Sequence, residues 1–348
     1  MAHLVELTAP RRVAIRTFTL PEPQQGEVRV ATWYSGISAG TELATYRGTN
    51  PYLDKRWDAE TAQFLPEPAP QPYPVDRWGY SEVGVVEAVG PGVTALSPGD
   101  AVWGIWGHRS AAVLPATAVA GHRVPAALDP VLATFARVGA VALNSVLTSQ
   151  AAVGESVAVF GQGVIGLLTT QLLLAQGSNV LAVDMLADRL QLAERFGAVP
   201  VPAAEADLLG RLRAASAGPG PDRVIELTGT YPALAEAIRA AGPDGEVIAA
   251  GFYQGGAAAL ALGEEFHHNR VQVTASQIGS VPRHLRRRWT TARLHETAVA
   301  LIAAGRMDPA PLITHVLPAV DAAAAYELVD RPPPGLLQVV LDFTQEGR

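Results

Sequence analysis

The chain has no cysteine among its 348 residues. That absence removes disulfides, thiolate nucleophiles and every cysteine-based zinc site, and it leaves His, Asp and Glu as the side chains that could hold a metal. Charge is sparse as well. With 17% charged and 49% apolar residues, the composition is that of a folded globular enzyme rather than a disordered chain. A formal net charge of -7, with acids and bases interspersed, offers no general attraction for nucleic acid or an anionic membrane, so a small-molecule substrate is the expected partner. The opening MAHLVELTAPRR lacks the charged-then-apolar pattern of a secretion signal, and a cytoplasmic location is expected. Ser156 to Val183 carries no charged residue and is long enough to span a bilayer, but its glycines, glutamines and β-branched ends fit a buried strand-helix-strand better.

At this length two domains are expected. EVRVATWY at Glu27–Tyr34 alternates as a half-buried strand does, and so do EVGVVEAVG and, after the turn PGD, AVWGIWG. Residues 1–125 therefore read as a β-rich, barrel-like unit crossed by a long proline-rich loop over 47–78. From residue 126 the pattern becomes strand, helix, strand: VAVF, IGLLTTQLLLAQG, NVLAVD, ADRLQLAERFG, DRVIELTG, YPALAEAIRAAG, GEVIAAG. Such alternation predicts an α/β doubly wound parallel sheet over 126–275. The remainder, 276–348, opens with a basic amphipathic helical stretch and ends on the strand LLQVVLDF, returning to the first unit.

The turn between VAVF and the next helix is Gly161, Gln162, Gly163, Val164, Ile165, Gly166. The first glycine permits a tight turn, the second lets a pyrophosphate approach the backbone, and the third lets helix and strand pack closely. Asp184 closes the following strand 18 residues beyond Gly166, where a carboxylate can grip ribose hydroxyls and repel a 2′-phosphate. NAD(H) is thus preferred over NADP(H). Arg189 either contacts the adenosine ribose or covers its helix.

The motifs SGISAGTELATYRG at 35–48, GYSEVGVVEAVGPGV at 79–93, PGDAV at 98–102, FGQGVIG at 160–166 and ELTG at 226–229 together resemble the medium-chain dehydrogenase/reductase superfamily, the alcohol dehydrogenase-like enzymes. The resemblance covers nearly the whole chain. It implies a GroES-like β-rich catalytic domain, a Rossmann coenzyme domain, Thr228 and Gly229 beside the coenzyme, and a homodimer. Zinc members carry Gly-Ile-Cys-Gly-Thr-Asp and Gly-His-Glu where this chain has Ser38 for the cysteine, Tyr80 for the histidine and Ser81 for the glutamate. The third ligand position, near Ala136 or Arg137, offers no suitable donor, and the cysteine-rich structural lobe is missing. A neutral serine hydroxyl and a phenol do not replace thiolate and imidazole, so the resemblance implies a zinc-free member. GISAGTE and GYSEVG are also loosely similar to the bacteriochlorophyllide dehydrogenase subgroup.

Without a metal, a developing alkoxide needs a positioned donor. By the match to the family, Tyr80 either serves as that donor or fills the vacated volume, and Thr41 is either a hydroxyl relay or a turn residue. Ser38 stands with them. Glu42 is expected to anchor its loop, and Trp33, Tyr46, Arg47, Tyr80 and Trp103 to wall a substrate cleft between the domains, with His108 reaching towards it. Arg47 either binds an anionic substrate or makes a surface pair. His267 and His268, if on a strand, point oppositely and cannot share an ion. Arg283, His284, Arg286, Arg287, Arg288 and Arg293 form a solvated face or an anion-binding rim. The expected function is zinc-independent hydride transfer between NAD(H) and a carbonyl/alcohol pair. Quinone or enoyl reduction with NAD(P)H and dinucleotide binding without turnover stand as alternatives.

Overall fold

The computed structural model describes residues 1–66, 73–216 and 218–345. The chain divides into two compact units: residues 1–137 with 310–348, and residues 138–309.

The first unit is β-rich. A hairpin, Ala2–Ala9 with Arg12–Phe18, accompanies a sheet ordered Ile313–Pro318, Gln338–Asp342, Glu27–Gly36, Glu82–Val89, Ala101–Gly104, with Ala111–Pro115 also paired to Glu27–Gly36. Alternation builds this sheet: Val28 and Val30 are fully buried, while Arg29 and Ala31, each next along the strand, keep some exposure. One apolar cluster gathers Val5, Leu7, Ile37, Tyr46, Trp78 and Tyr326 around the helix Ala322–Asp330; a second packs Val28, Val30, Val86 and Val102.

The second unit is a six-stranded parallel sheet ordered Val199–Pro202, Asn179–Asp184, Ser156–Phe160, Arg223–Glu226, Glu246–Ala249, Gln272–Ala275. Helices Val164–Gln176, Ala187–Phe196, Leu208–Ala215 and Tyr231–Ala240 connect these strands. All five residues of Ser156–Phe160 are buried, as expected of a central strand covered on both faces. The strand order reverses between Ser156–Phe160 and Arg223–Glu226, and open α/β sheets bind ligands at the carboxyl ends of strands at such a switch point. The predicted α/β class and doubly wound sheet are what the structure shows.

Three local expectations differ. Residues 276–309 lie with the second unit, where the sequence pattern had assigned everything after 275 to the first. The reason is packing of the helix Thr291–Ala303 and of Met307: a Cβ at Gly139 would meet Met307 Cε at 2.8 Å and Ala298 Cβ at 3.3 Å. The proline-rich stretch 47–78 holds a short helical turn at Pro51–Leu53 and a hairpin, Lys55–Asp58 with Gln63–Pro66, rather than loop alone; its residues 67–72 lie outside the described residues. Trp57 and Tyr52 ring edges pack on Phe64, each at a centroid distance of 5.1 Å, and tie that hairpin together. The basic stretch after Val281 is a 3₁₀ turn at Arg283–Leu285 followed by a helix that begins only at Thr291, because the Thr290 hydroxyl accepts the Arg293 N–H at 3.1 Å and caps it.

Candidate active site

In the second unit the glycine turn sits at the end of Ser156–Phe160 and opens the helix Val164–Gln176, with Gly163 as the residue before the first turn. Gly161 takes φ +90°, and a Cβ there would stand 2.8 Å from Thr228 Cγ2. At Gly166 a Cβ would lie 1.8 Å from the Gly161 carbonyl oxygen, so only glycine lets the helix close on the strand. Gly163 is different: the one neighbour within 4 Å of an added Cβ is Arg189 Nη1 at 3.9 Å, and the backbone there stays approachable. No side chain caps this helix start, and its first-turn N–H groups are left for an anionic ligand.

Asp184 closes its strand and folds back on the turn. Its Oδ2 accepts the Gln162 N–H at 2.6 Å, its Oδ1 accepts the Leu186 N–H at 2.9 Å, and Arg189 Nη1 stands 3.7 Å away. The Gln162 side chain is buried, donating to the Val159 carbonyl at 2.9 Å and accepting from Thr170 at 3.0 Å, so it braces the turn from behind. Val164 and Ile165 occupy the half-buried first turn of the helix.

The neighbouring strand end adds a feature that the sequence reading missed. Glu226 is fully buried and collects donors: the Thr228 N–H at 2.7 Å, the Gly229 N–H at 3.3 Å, and the hydroxyls of Thr228 and Tyr253. Burial pushes its carboxyl up, against those hydrogen bonds, which pull it down. The motif ELTG carried the signal, but attention fell on its threonine and glycine rather than on the carboxylate that orients both. Thr228 in turn touches Gly161, so Glu226 shapes the rim of the glycine turn.

In the first unit the Tyr80 hydroxyl donates to the Ser38 hydroxyl, and Thr41, at the start of the helix Thr41–Arg47, also hydrogen bonds to it. Withdrawal from water, reinforced by the charge of Glu42, pushes the phenol up to about 12, while Ser38, Thr41 and Arg137 pull the other way. It is therefore a protonated donor at neutral pH. Ser81 lies buried beside Tyr80, and its carbonyl accepts the Gly36 N–H at 2.9 Å, which fixes the Ser38 and Tyr80 segments side by side. Arg137, half-buried, acts on the phenol through its charge.

Behind this pair lies a buried polar network. Glu42 accepts from the Tyr326 hydroxyl at 2.6 Å and from His108 Nε2 at 2.9 Å. His108 Nδ1 meets the Ser35 hydroxyl at 2.6 Å, and that hydroxyl donates to Glu82 Oε1 at 3.0 Å. Glu82 Oε2 accepts the Trp106 N–H at 2.8 Å. Burial disfavours charge on His108, but Glu42 and Glu82 outweigh it and raise the imidazole above its ordinary value. As an imidazolium it donates from both nitrogens, which satisfies Glu42 and, through Ser35, Glu82.

The other sequence candidates scatter. His108 is buried at 1% exposure instead of reaching outwards. Glu42 anchors its loop from inside. Tyr46 is buried and stacks on Tyr326 at 5.6 Å, and Trp103 is buried and stacks on His122 at 3.8 Å, so both fill the interior of their unit. Arg47 pairs with Asp330, with its Nε 2.5 Å from Oδ1, and Trp33 is half-buried on its strand. His267 and His268 end the short helix Glu265–His268 rather than lying on a strand. Arg283, His284, Arg286, Arg287, Arg288 and Arg293 are exposed.

The family model described as zinc-binding dehydrogenase matches residues 164–294. The chain is 27% identical over 349 residues to D-guloside 3-dehydrogenase of Escherichia coli, covering 97% of this chain and 98% of that one. It is also 27% identical over 365 residues to 2-desacetyl-2-hydroxyethyl bacteriochlorophyllide A dehydrogenase of Cereibacter sphaeroides, covering 97% of each. Its fold superposes on 2R,3R-butanediol dehydrogenase from Bacillus subtilis with a TM-score of 0.79, at 21% identity and covering 98% and 99% of the two chains. By this family match and these full-length relatives, the chain is similar to the medium-chain dehydrogenase/reductase superfamily. It is an oxidoreductase of the dehydrogenase type.

Against that superfamily's zinc pattern the chain differs at Ser38, at Tyr80 and at the third ligand position, near Ala136 or Arg137. The family match at 164–294 starts beyond Ser38, Tyr80 and Arg137 and does not bear on them. A hydroxyl and a phenol do not fit Zn²⁺, which takes thiolate, imidazole or carboxylate, and neither Ala136 nor Arg137 supplies such a donor. Among the described residues no group of three or more His, Asp or Glu side chains is placed to hold a metal ion.

Proposed function

We propose that this medium-chain dehydrogenase/reductase is zinc-independent, prefers NAD(H), and interconverts a carbonyl and an alcohol. The observation that carries the reading is the glycine turn closed on Asp184: an approachable backbone at Gly163, an uncapped helix start, and a carboxylate held against the Gln162 N–H. When bound, the nicotinamide ring supplies or accepts the hydride. Gly163 and the helix start would hold its pyrophosphate, and Asp184, with Arg189 beside it, would hold its adenosine ribose. Asp184 also disfavours a second phosphate on that ribose, which supports the preference for NAD(H).

The chain's own groups supply the proton. Tyr80 is protonated at neutral pH, its hydroxyl is ordered by Ser38 and Thr41, and those two hydroxyls offer a path by which the proton is replaced. The relatives are named as dehydrogenases of a D-guloside and of a hydroxyethyl bacteriochlorophyllide, and this supports a hydroxyl-bearing substrate here, such as a glycoside or other polyhydroxylated alcohol. The test is a panel of glycosides, polyols, diols, ketones and enones followed by NADH and NADPH absorbance, on protein purified without added metal and assayed for zinc. Turnover of an alcohol or ketone with NAD(H) at substoichiometric zinc is the expected result. Stoichiometric zinc, or activity confined to enones, contradicts it.

A further inference from the structure

A cavity of about 610 Å³ lies wholly within the first unit, at the turn between the strands Ala2–Ala9 and Arg12–Phe18 and along the helix Ala322–Asp330. Small-molecule sites have this size, about 300–1,000 Å³. Ser38, Thr41 and Tyr80 do not line it; Arg11, Arg12 and Arg331 do. Asp330, also in the wall, organises the cations. Its side chain is 4% exposed, Arg11 Nη1 donates to its Oδ2, and Arg47 Nε donates to its Oδ1 at 2.5 Å. Burial works against its charge, but Arg47 and Arg11 outweigh it and hold the carboxyl below its ordinary range. One carboxylate thus balances one of two cations and fixes the Arg11 guanidinium at the cavity wall. Arg11 is pinned from behind as well: at φ +59° its N–H donates to the Tyr46 carbonyl at 2.7 Å. Arg12 and Arg331 are exposed and form no ion pair among the described residues.

An independent sign of a ligand comes from Tyr46. The residue is 5% exposed and its ring stacks on Tyr326, yet its hydroxyl, on a residue that lines the cavity, has no hydrogen-bond partner among the described residues. A buried hydroxyl without a partner calls for one. Burial, reinforced by Asp330 and Glu327, pushes this phenol up, so at neutral pH it donates. Three guanidinium groups and a phenol are all donors, and an oxyanion is the acceptor that suits them. With Arg47 counted, four arginines stand against the carboxylates of Asp330 and Glu327, an excess of two positive charges. A phosphomonoester carries about −1.5 to −2 at neutral pH, which matches that excess. The volume exceeds what a lone phosphate fills, and Val13, Ala323 and Ala324 offer apolar wall for an organic part. Glu327 is in no ion pair among the described residues and is left as an acceptor.

We propose that this cavity binds a small organic phosphate that also carries hydroxyl groups, of the sugar phosphate class. Arg11, Arg12 and Arg331 take the phosphate, the Tyr46 hydroxyl donates to one of its oxygens, and Glu327 accepts from a ligand hydroxyl. No bond is made or broken there. The site lies in one unit, needs no coenzyme, and stands whether or not the function proposed above holds.

Isothermal titration calorimetry of the full chain with glucose 6-phosphate, inorganic phosphate and glucose tests it. Glucose 6-phosphate should bind once per chain, inorganic phosphate at least about tenfold more weakly, and glucose not at all. Arg12→Ser and Arg331→Ser should each weaken glucose 6-phosphate about tenfold, and Tyr46→Phe, which keeps the ring, about fivefold. Thermal unfolding midpoints close to the parent's show that the variants are folded. Binding that none of the three substitutions alters overturns the proposal, as does binding of glucose as tight as that of its phosphate, or no binding of either phosphate at millimolar concentration. Inorganic phosphate that binds as tightly as glucose 6-phosphate overturns the ligand class. A competition arm needs no variant and stays decisive should a substitution unfold the chain. Saturating NADH should leave the glucose 6-phosphate isotherm in place, because the helix start at Gly163 belongs to the second unit. Displacement by NADH would put the phosphate at that helix start and overturn the proposal.

Discussion

At the scale of single residues, the site depends on which side chains keep their protons. Tyr80 is pushed up to about 12, so the acid form is complete throughout the neutral range. Replacement by Phe removes the donor but keeps the ring, and it should lower kcat for carbonyl reduction about 100-fold while leaving NADH affinity within a factor of about two. The pH profile gives the sign. A group that must be protonated and titrates near 12 contributes no fall in the reduction rate between about pH 6 and pH 10, so any alkaline limb there belongs to another group. Steady-state kinetics on both chains across that range checks the point, and an unchanged kcat in the Phe variant would leave Tyr80 as a space filler. Asp184 offers a second test at this scale. Asp184→Asn keeps the shape and one acceptor, for the Gln162 N–H, and removes the charge together with the acceptor of the Leu186 N–H. The ratio of NADPH to NADH dissociation constants, read by fluorescence titration, should drop about tenfold, which is about 1.4 kcal/mol of lost discrimination.

At the scale of elements, the glycine turn was legible because every constraint on it is local: a strand end, a turn, a helix and the next strand lie within 25 residues, from Phe160 to Asp184. Gly166→Ala tests the sharpest of these constraints. The added methyl would stand 1.8 Å from the Gly161 carbonyl oxygen, which is backbone and cannot rotate aside, so the helix must move off the strand. A loss of about 1–3 kcal/mol in stability and at least about tenfold weaker NADH binding are expected, measured by urea unfolding and fluorescence titration. Normal NADH affinity in this variant would show that the turn does not position the coenzyme. The hairpin inside 47–78 was not legible, because prolines at both ends read as loop punctuation while the ring contacts of Trp57 and Tyr52 with Phe64 have no sequence period. His267 and His268 were weighed as strand residues, and the short helix Glu265–His268 that carries them is too brief to show a helical pattern. The helix after Val281 begins later than its composition suggests, since arginines are good helix formers but the chain needs the Thr290 cap to start one.

At the scale of the whole molecule, the part of the site that sequence reading could not reach is the buried network that links residues far apart. Glu42 and Tyr326 are 284 positions apart, and Ser35 and His108 are 73 apart, so no spacing rule joins them. This network binds the helix Ala322–Asp330 of the first unit to the helix that Thr41 opens and to the strand Glu82–Val89 that follows Tyr80, and its stability should depend on pH with a definite sign. Folding raises the proton affinity of His108, because Glu42 and Glu82 outweigh its burial, and it raises that of Glu82, chiefly through burial. The folded chain therefore holds protons that the unfolded chain releases. The contribution of His108 is complete below its unfolded value of about 6.5 and is lost as pH rises through its higher folded value; the cost of ionising Glu82 acts in the same direction above about 4.3. His108→Gln leaves buried Glu42 and Glu82 facing a neutral amide in place of the imidazole and should cost about 3–5 kcal/mol at pH 6. The same substitution should flatten the decline in stability that the parent chain shows between about pH 6 and pH 9, read from urea midpoints at each pH. Parallel declines in the two chains would mean that His108 is neutral in the folded state and that the raised Glu82 carboxyl, not the imidazole, sets the pH dependence.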